Sequence, residues 1–489
     1  MMSPFRLRLL LAGLTLSLAG IGPLLLGSSD EISLPTDDDS IGWKPPAQGW
    51  VGTASCASAA CHGGDGPQGT KGCEYSTWKE SDPHARTYDA LYSERSLRIA
   101  LVLWPDEKNP EPWTKAECLA CHASPESAKD DTHSSSLQYG VGCESCHGPA
   151  RDWLTAHTSN EWQAFSPQDK ERLGFRNLSQ PLARAESCVR CHVGIPNQQV
   201  NHDLIAAGHP RLFFNLVGFI ESPPLVGDKS YRGKWHWLSR RNQPSPSAES
   251  RGAELAREWA LGETISAIAS LDLLEQRLHD STTIHSHWPE LAEFNCYACH
   301  HDLSAKDVVV GTNVSIPQAK LDSKPKAGQL ARGIWTYATL PSIADASGLN
   351  ADKIRSALAS LRTLIPGNDA DRQEAAKVAS SLRQYLQSEL LPAVEKQPID
   401  VKWLATVRRS LIAEAKSSAA SSTWDQAAEW YIAFVVLDRL QQDLSGAESQ
   451  RIALTAPSGL LFPKGFDSPR GFSPAVLADF LKSVENSNP

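Results

Sequence analysis

Apolar residues recur at helical spacing along several stretches of the chain. Leu261, Ile265, Ile268, Leu271, Leu274 and Leu278 stand three or four residues apart, as do Ile354, Leu358, Leu361 and Ile365, and again Val378, Leu382, Leu386 and Leu390. Such spacing lines one side of a helix with apolar groups and predicts helices that bury that side against their neighbours. A further run, Trp424 to Leu440, opens on Thr423-x-x-Gln426, a capping-box pattern. No stretch alternates convincingly in the manner of a half-buried strand. The expected fold is mainly α, with little regular sheet.

The start of the chain is different. Arg6 and Arg8 precede an apolar run of 18 residues, Leu9 to Leu26, a length between that of a signal-peptide core and a short membrane span. Residues 1–28 read as a signal peptide or an N-terminal membrane anchor. With the basic end held inside, the remainder is exported, to the periplasm or to the outer face of the inner membrane. Residues 29–49 form an acidic linker that includes Asp37, Asp38 and Asp39.

Composition then separates two regions. Residues 50–303 hold every cysteine and histidine of the protein; residues 304–327 mix Lys, Pro, Ser, Gly and Val without period and read as a linker. Residues 328–489 read as a helical domain with no cysteine, histidine or methionine. A net charge of −9 lacks the basic balance that a nucleic-acid partner requires. The only methionines are Met1 and Met2, so the exported part has no thioether for a metal.

The cysteines carry the chemistry. Four C-x-x-C-H motifs occur: Cys118-Leu-Ala-Cys121-His122, Cys143-Glu-Ser-Cys146-His147, Cys188-Val-Arg-Cys191-His192 and Cys296-Tyr-Ala-Cys299-His300. A wider variant is Cys56-Ala-Ser-Ala-Ala-Cys61-His62. This is the pattern of c-type haem attachment: two thiols add across the porphyrin vinyl groups, and the adjacent imidazole reaches the iron. Chance would supply on the order of 0.01 such motifs in a chain of this composition. A zinc ribbon built from Cys121 and Cys143 is the main competitor, with disulfides behind it, but neither requires His after every pair. The expected cofactor is five covalently bound haem c groups, with iron. Cys73 is left over and reads as a buried thiol.

Each iron has a second axial position. Without Met, Met/His ligation is excluded, and neutral His is the natural candidate. His84, His157, His202 and His209 have the most suggestive settings; His202 and His209, seven residues apart, could share a helical face. His133, His236, His279, His285, His287 and His301 are weaker candidates.

The order of a Cys-His pair, then Trp-Lys-Glu-Ser-Asp-Pro-His84-Ala, then the motif ending at His122, then Gly-Val-Gly-Cys143 through Ala150, Trp153 and His157, resembles the multihaem cytochromes c-554, a family related to hydroxylamine oxidoreductase. The resemblance implies bis-His haems stacked on a mostly helical scaffold, with His84 and His157 as distal ligands. It covers roughly residues 55–157, and 186–211 less closely. Catalytic relatives use a C-x-x-C-K motif or eight haems with a cross-linking Tyr, and this chain has neither. The expected function is therefore electron transfer in the periplasm along mostly bis-His haems, with redox proteins as partners, no nucleic acid, and membrane association only through the N-terminal segment. The alternative is a haem-dependent oxidoreductase acting on a small nitrogen or sulfur oxyanion at one five-coordinate iron. A scaffold whose helical domain docks a partner is a weaker third reading.

Overall fold

A computed structural model describes residues 49–124, 136–196, 198–221, 250–279, 288–294, 337–365, 369–418, 423–445 and 474–486. All belong to one compact unit. The N-terminal segment, the linker 304–327 and the motif Cys296, Cys299, His300 lie outside them. The fold is mainly α, and the described residues contain no strand beyond one bridge, Ile195 to Gln198. None of their helices is long and apolar enough to cross a membrane.

Short helices and single turns build residues 49–221. They are α1 (Glu74–Ser81), α2 (Glu94–Leu103), α3 (Ala116–His122), α4 (Cys143–His147), α5 (Pro167–Arg172), α6 (Pro181–His192), α7 (His202–Ala207) and α8 (Leu216–Glu221). Local chemistry sets their ends. The Ser93 hydroxyl accepts from Ser96 N–H at the start of α2. Ser166 and Asp169 cap α5 reciprocally, and Pro181 opens α6, where its missing donor costs nothing. Three attachment motifs sit on the last turn of a helix: α3, α4 and α6 each end on the motif histidine. One helical turn brings the two cysteines of each motif to the same face and leaves the histidine free to point away from the axis.

Mostly longer helices follow: α9 (Arg251–His279), α10 (Leu340–Ala346), α11 (Ala351–Leu364), α12 (Asp369–Tyr385), α13 (Leu391–Lys396), α14 (Val401–Ser418), α15 (Trp424–Ser445) and α16 (Pro474–Asn486), of which α10 and α13 are short. The three expected apolar stripes are buried, apart from a half-buried Val378. The capping box also forms: Thr423 N–H donates to Gln426 Oε1 at 3.1 Å and Gln426 N–H to Thr423 Oγ1 at 3.3 Å. One stripe differs in detail, because Leu386–Leu390 winds as a π-turn instead of continuing α12. Pro392 follows; it has no N–H for the carbonyl one turn back, and widening the turn before it relieves that mismatch.

Helix α9 is the axis of the bundle. It packs on α6, α8, α12 and α15. A Cβ at Gly262 would stand 2.6 Å from Leu216 Cβ, so only glycine lets α8 come this close to α9. Ala185 and Val189 of α6, Phe214 just ahead of α8 and Leu216 of α8 belong to the same apolar core as α10 to α16. The Arg184–Glu258 ion pair also ties α6 to α9. The helix that presents Cys188, Cys191 and His192 is thus seated directly on the bundle.

Candidate haem-binding sites

Three pairs of imidazoles face each other across the short-helix region. The His62 and His157 ring centroids lie 6.2 Å apart with planes 13° apart. His84 and His192 lie 6.0 Å apart at 89°, and His122 and His209 lie 6.4 Å apart at 87°. An imidazole nitrogen is about 1.1 Å from its ring centroid and a metal–imidazole bond is about 2.0–2.1 Å, so two trans ligands place their centroids about 6.2–6.4 Å apart. The observed separations suit a metal between the rings and are too long for direct imidazole hydrogen bonding.

Five of these six rings also have a fixed outer nitrogen. His62 Nδ1 meets Glu74 Oε2 at 2.9 Å, and His84 Nδ1 meets Asp82 Oδ1 at 2.9 Å. His122 Nδ1 lies 2.8 Å from Thr87 O, His157 Nδ1 2.5 Å from Leu154 O, and His209 Nδ1 2.8 Å from Pro210 O. A carbonyl or carboxylate oxygen only accepts, so each Nδ1 must carry the hydrogen. Nε2 is then the bare lone pair, the arrangement found behind metal-bound histidines. Burial pushes the His84 pKa down, but the Asp82 hydrogen bond and charge outweigh it and leave it raised. Burial, and then His84, hold His192 down at about 4, which keeps it neutral at physiological pH.

His157 comes from the turn Ala156–Thr158, wedged by Trp153 at 5.3 Å. His84 comes from the turn Pro83–Arg86, which Asp82 caps. His209 follows Gly208, which ends α7 at φ 115°. This corrects the expectation that His202 and His209 share a helical face: the left-handed glycine stops the helix between them. His202 opens α7 with its backbone N–H on Glu290 Oε1 at 2.9 Å, and among the described residues it joins no such imidazole pair. His147 lies against Phe175, ring centroids 6.0 Å apart.

The nine described cysteines form no disulfide with one another, and Cys73 is buried. Neighbouring motifs meet through them: Cys56 lies beside Cys143, and Cys121 beside Cys191. Gln198 Nε2 reaches Cys191 Sγ at 3.0 Å and Ala120 O at 2.7 Å. Cys121 and Cys143 therefore face different partners instead of converging as a zinc ribbon would require. The described residues contain no cluster of three His, Cys, Asp or Glu side chains able to hold a metal ion. The donor set is instead paired thiols beside paired imidazoles, which fits a porphyrin.

Residues 55–148 match the family model of cytochrome c554 and c-prime. Over this segment the chain is similar to c-type cytochromes of that family, which supports a c-type cytochrome. No curated protein and no solved structure matches it. Covalently bound haem c follows from the family, and haem supplies reversible one-electron chemistry at iron when bound. The cytochrome also uses residues that the motif pattern alone does not point to. Glu144, 1% exposed between Cys143 and Cys146, accepts from Val51, Gly52 and Ala150 N–H at 3.0, 2.7 and 2.7 Å. It pins the segment that leads into Cys56 against the second attachment helix. Its position inside the motif was a visible signal; its backbone partners, 92 and 93 residues away, were not.

Proposed function

We propose that this cytochrome is an exported pentahaem electron carrier whose haems are mostly bis-His. The three imidazole pairs at 6.0, 6.2 and 6.4 Å carry the reading. In it, His157 serves the Cys56–Cys61 haem, His209 the Cys118–Cys121 haem and His84 the Cys188–Cys191 haem. Cys143, Cys146 and His147 hold a fourth haem, and Cys296, Cys299 and His300 the fifth. Thiol neighbours suggest the order of the chain. Cys56 meets Cys143, Cys146 lies within electrostatic reach of Cys188 and Cys191, and Cys191 meets Cys121. Electrons would then pass the sites of His62, His147, His192 and His122 in that order, which is not their order in the sequence.

Six-coordinate irons favour outer-sphere transfer, because no ligand need bind or leave. Imidazole ligation without Met, in a chain of net charge −9, also favours low potentials. Intact mass should show five additions of about 0.6 kDa each. Low-temperature EPR of the oxidised holoprotein should be dominated by low-spin ferric signals, and His157→Ala, His84→Ala and His209→Ala should each convert one iron to high spin. A wild-type spectrum with one high-spin iron that binds nitrite or hydroxylamine would replace the pure carrier reading with the oxyanion-processing enzyme.

A further inference from the structure

Behind His192 the bundle buries two carboxyls against each other. Glu263 of α9 and Glu429 of α15 are 6% and 1% exposed. Asn215 joins them: its Nδ2 donates to Glu263 Oε1 at 2.8 Å and to Glu429 Oε2 at 2.7 Å. Thr339 Oγ1 donates to Glu263 Oε2 at 2.6 Å, and Glu429 Oε1 accepts no hydrogen bond among the described residues. Among the described residues no cation pairs with either carboxyl. The charged groups placed around it are Asp425, one turn earlier on α15, and Arg211, whose guanidinium meets Asp425 at 2.6 Å. Asn215, ahead of α8, and Thr339, ahead of α10, are uncharged.

Two carboxylates in contact inside a bundle cannot both ionise cheaply. Burial raises Glu263 to about 7, against weaker hydrogen bonds that pull it down. Burial and the Glu263 charge raise Glu429 as well. The pair is thus poised to gain or lose a proton near neutrality.

Its position gives that proton a use. Asn215 follows Phe214, whose ring lies 5.3 Å from the His192 ring, and its Oδ1 accepts from Gly218 N–H in the turn that brings Phe219 to 5.0 Å from the same imidazole. The residue that bridges the carboxyls therefore belongs to the layer covering His192. We propose that Glu263 and Glu429 form a proton-binding site coupled to the oxidation state of the iron held by His84 and His192. This rests on the reading of those histidines as axial ligands. When a one-electron donor reduces that iron from ferric to ferrous, the added negative charge in a low-dielectric interior raises the proton affinity of the pair, and one proton moves from water to a carboxylate oxygen. By linkage, a bound proton raises the potential of that iron by the same free energy. The cytochrome would then carry protons with electrons at one of its centres.

The test is redox-difference infrared spectroscopy of the holoprotein with potentiometric titration across pH. Reduction near neutrality should produce the carbonyl stretch of a protonated carboxyl. One centre should shift by up to about 59 mV for each tenfold change in proton concentration. Glu429→Gln, which keeps the shape, should abolish the band and flatten that centre's pH dependence; Glu263→Gln should do the same and covers the case where the first variant fails to fold. His84→Ala tests the ligation separately. If it leaves every iron low-spin, the axial reading is wrong whatever the carboxyls do. If it converts one iron to high spin while both Gln variants keep the band and the slope, or if the wild type shows neither, the proton site is overturned alone.

Discussion

Residues 49–221 and residues 250–486 are held together differently. In the bundle, α9 and α15 are buried along most of their length, and one apolar core runs from Leu255 to Val484. The haem-bearing part has helices of 5 to 12 residues. Away from the bundle its own apolar cluster is Leu91, Leu119 and Ala123 with a few half-buried neighbours. Apolar burial is worth roughly 25 cal/mol per Å², so the bundle has ample stabilisation from its side chains and the haem-bearing region has little. What organises the haem-bearing region is polar: Glu144 on three backbone donors, Asp82 on His84, Glu74 on His62 and Gly72. Such pins orient groups more than they stabilise a fold. The comparison teaches that this region relies on its cofactor for apolar mass, whereas the bundle supplies its own.

The largest expected effect follows directly. Produced in cells that cannot attach haem, the chain should lose structure in 49–221 and retain it in 251–445. Limited proteolysis should degrade the first region and leave resistant fragments from the second, with most helical circular dichroism preserved. Equal protection of both regions would break the comparison.

Much of this contrast was readable in advance. The stripes at Leu261–Leu278 and Ile354–Ile365 announced buried helices because periodicity reports burial directly. The attachment motifs announced haem because adjacent Cys, Cys and His have a covalent reason to be neighbours. Axial pairs were harder. His84, His157 and His209 stood out by local setting, but which motif histidine each one faces depends on contacts 108, 95 and 87 residues apart along the chain. The Glu263–Asn215–Glu429 cluster gave no signal at all. A glutamate on an apolar helix looks like a solvent-facing residue until the partner helix is known.

Within the bundle the next effect is a cavity. Leu271→Ala at a fully buried site should cost about 2–5 kcal/mol in denaturant unfolding. Leu101→Ala on α2, 55% exposed, should change stability by less than about 0.5 kcal/mol. Similar costs for the two would mean that α2 is covered in solution.

A pH effect of intermediate size comes from Glu263. Its ordinary pKa is 4.5 and burial raises it to about 7 in the folded chain. Below about 4.5 both folded and unfolded chains hold the proton, and the group contributes nothing. Between there and about 7 the unfolded chain releases it while the folded one keeps it, so stability falls as pH rises and the full cost applies above 7. Glu263→Gln should therefore stabilise the bundle more above that window than below it. Chemical denaturation at both ends checks this, and a pH-independent gain would remove the titration from the account.

The smallest effect compares one kind of strain in both regions. Gly208, at φ 115°, ends α7 just before His209, and Gly348, at φ 72°, ends α10 in the bundle. A Cβ would meet only Ile99 Cγ1 at 3.6 Å at the first site and nothing within 4 Å at the second, so packing does not separate them. Alanine at either should cost about 1–2 kcal/mol, the penalty of a left-handed conformation for an L-residue. The readouts should differ nonetheless. At Gly348 the strain has no iron ligand to move, and the visible and EPR spectra should be unchanged. At Gly208 the chain can relieve strain by extending α7, which would rotate His209 away from the His122 ring and turn one low-spin iron high-spin. Matching stability losses with a spectral change at Gly208→Ala alone would show that the same backbone device serves packing in one region and ligation in the other. A spectral change in both variants would mean that bundle strain reaches the haems, and the division between the regions would have to be redrawn.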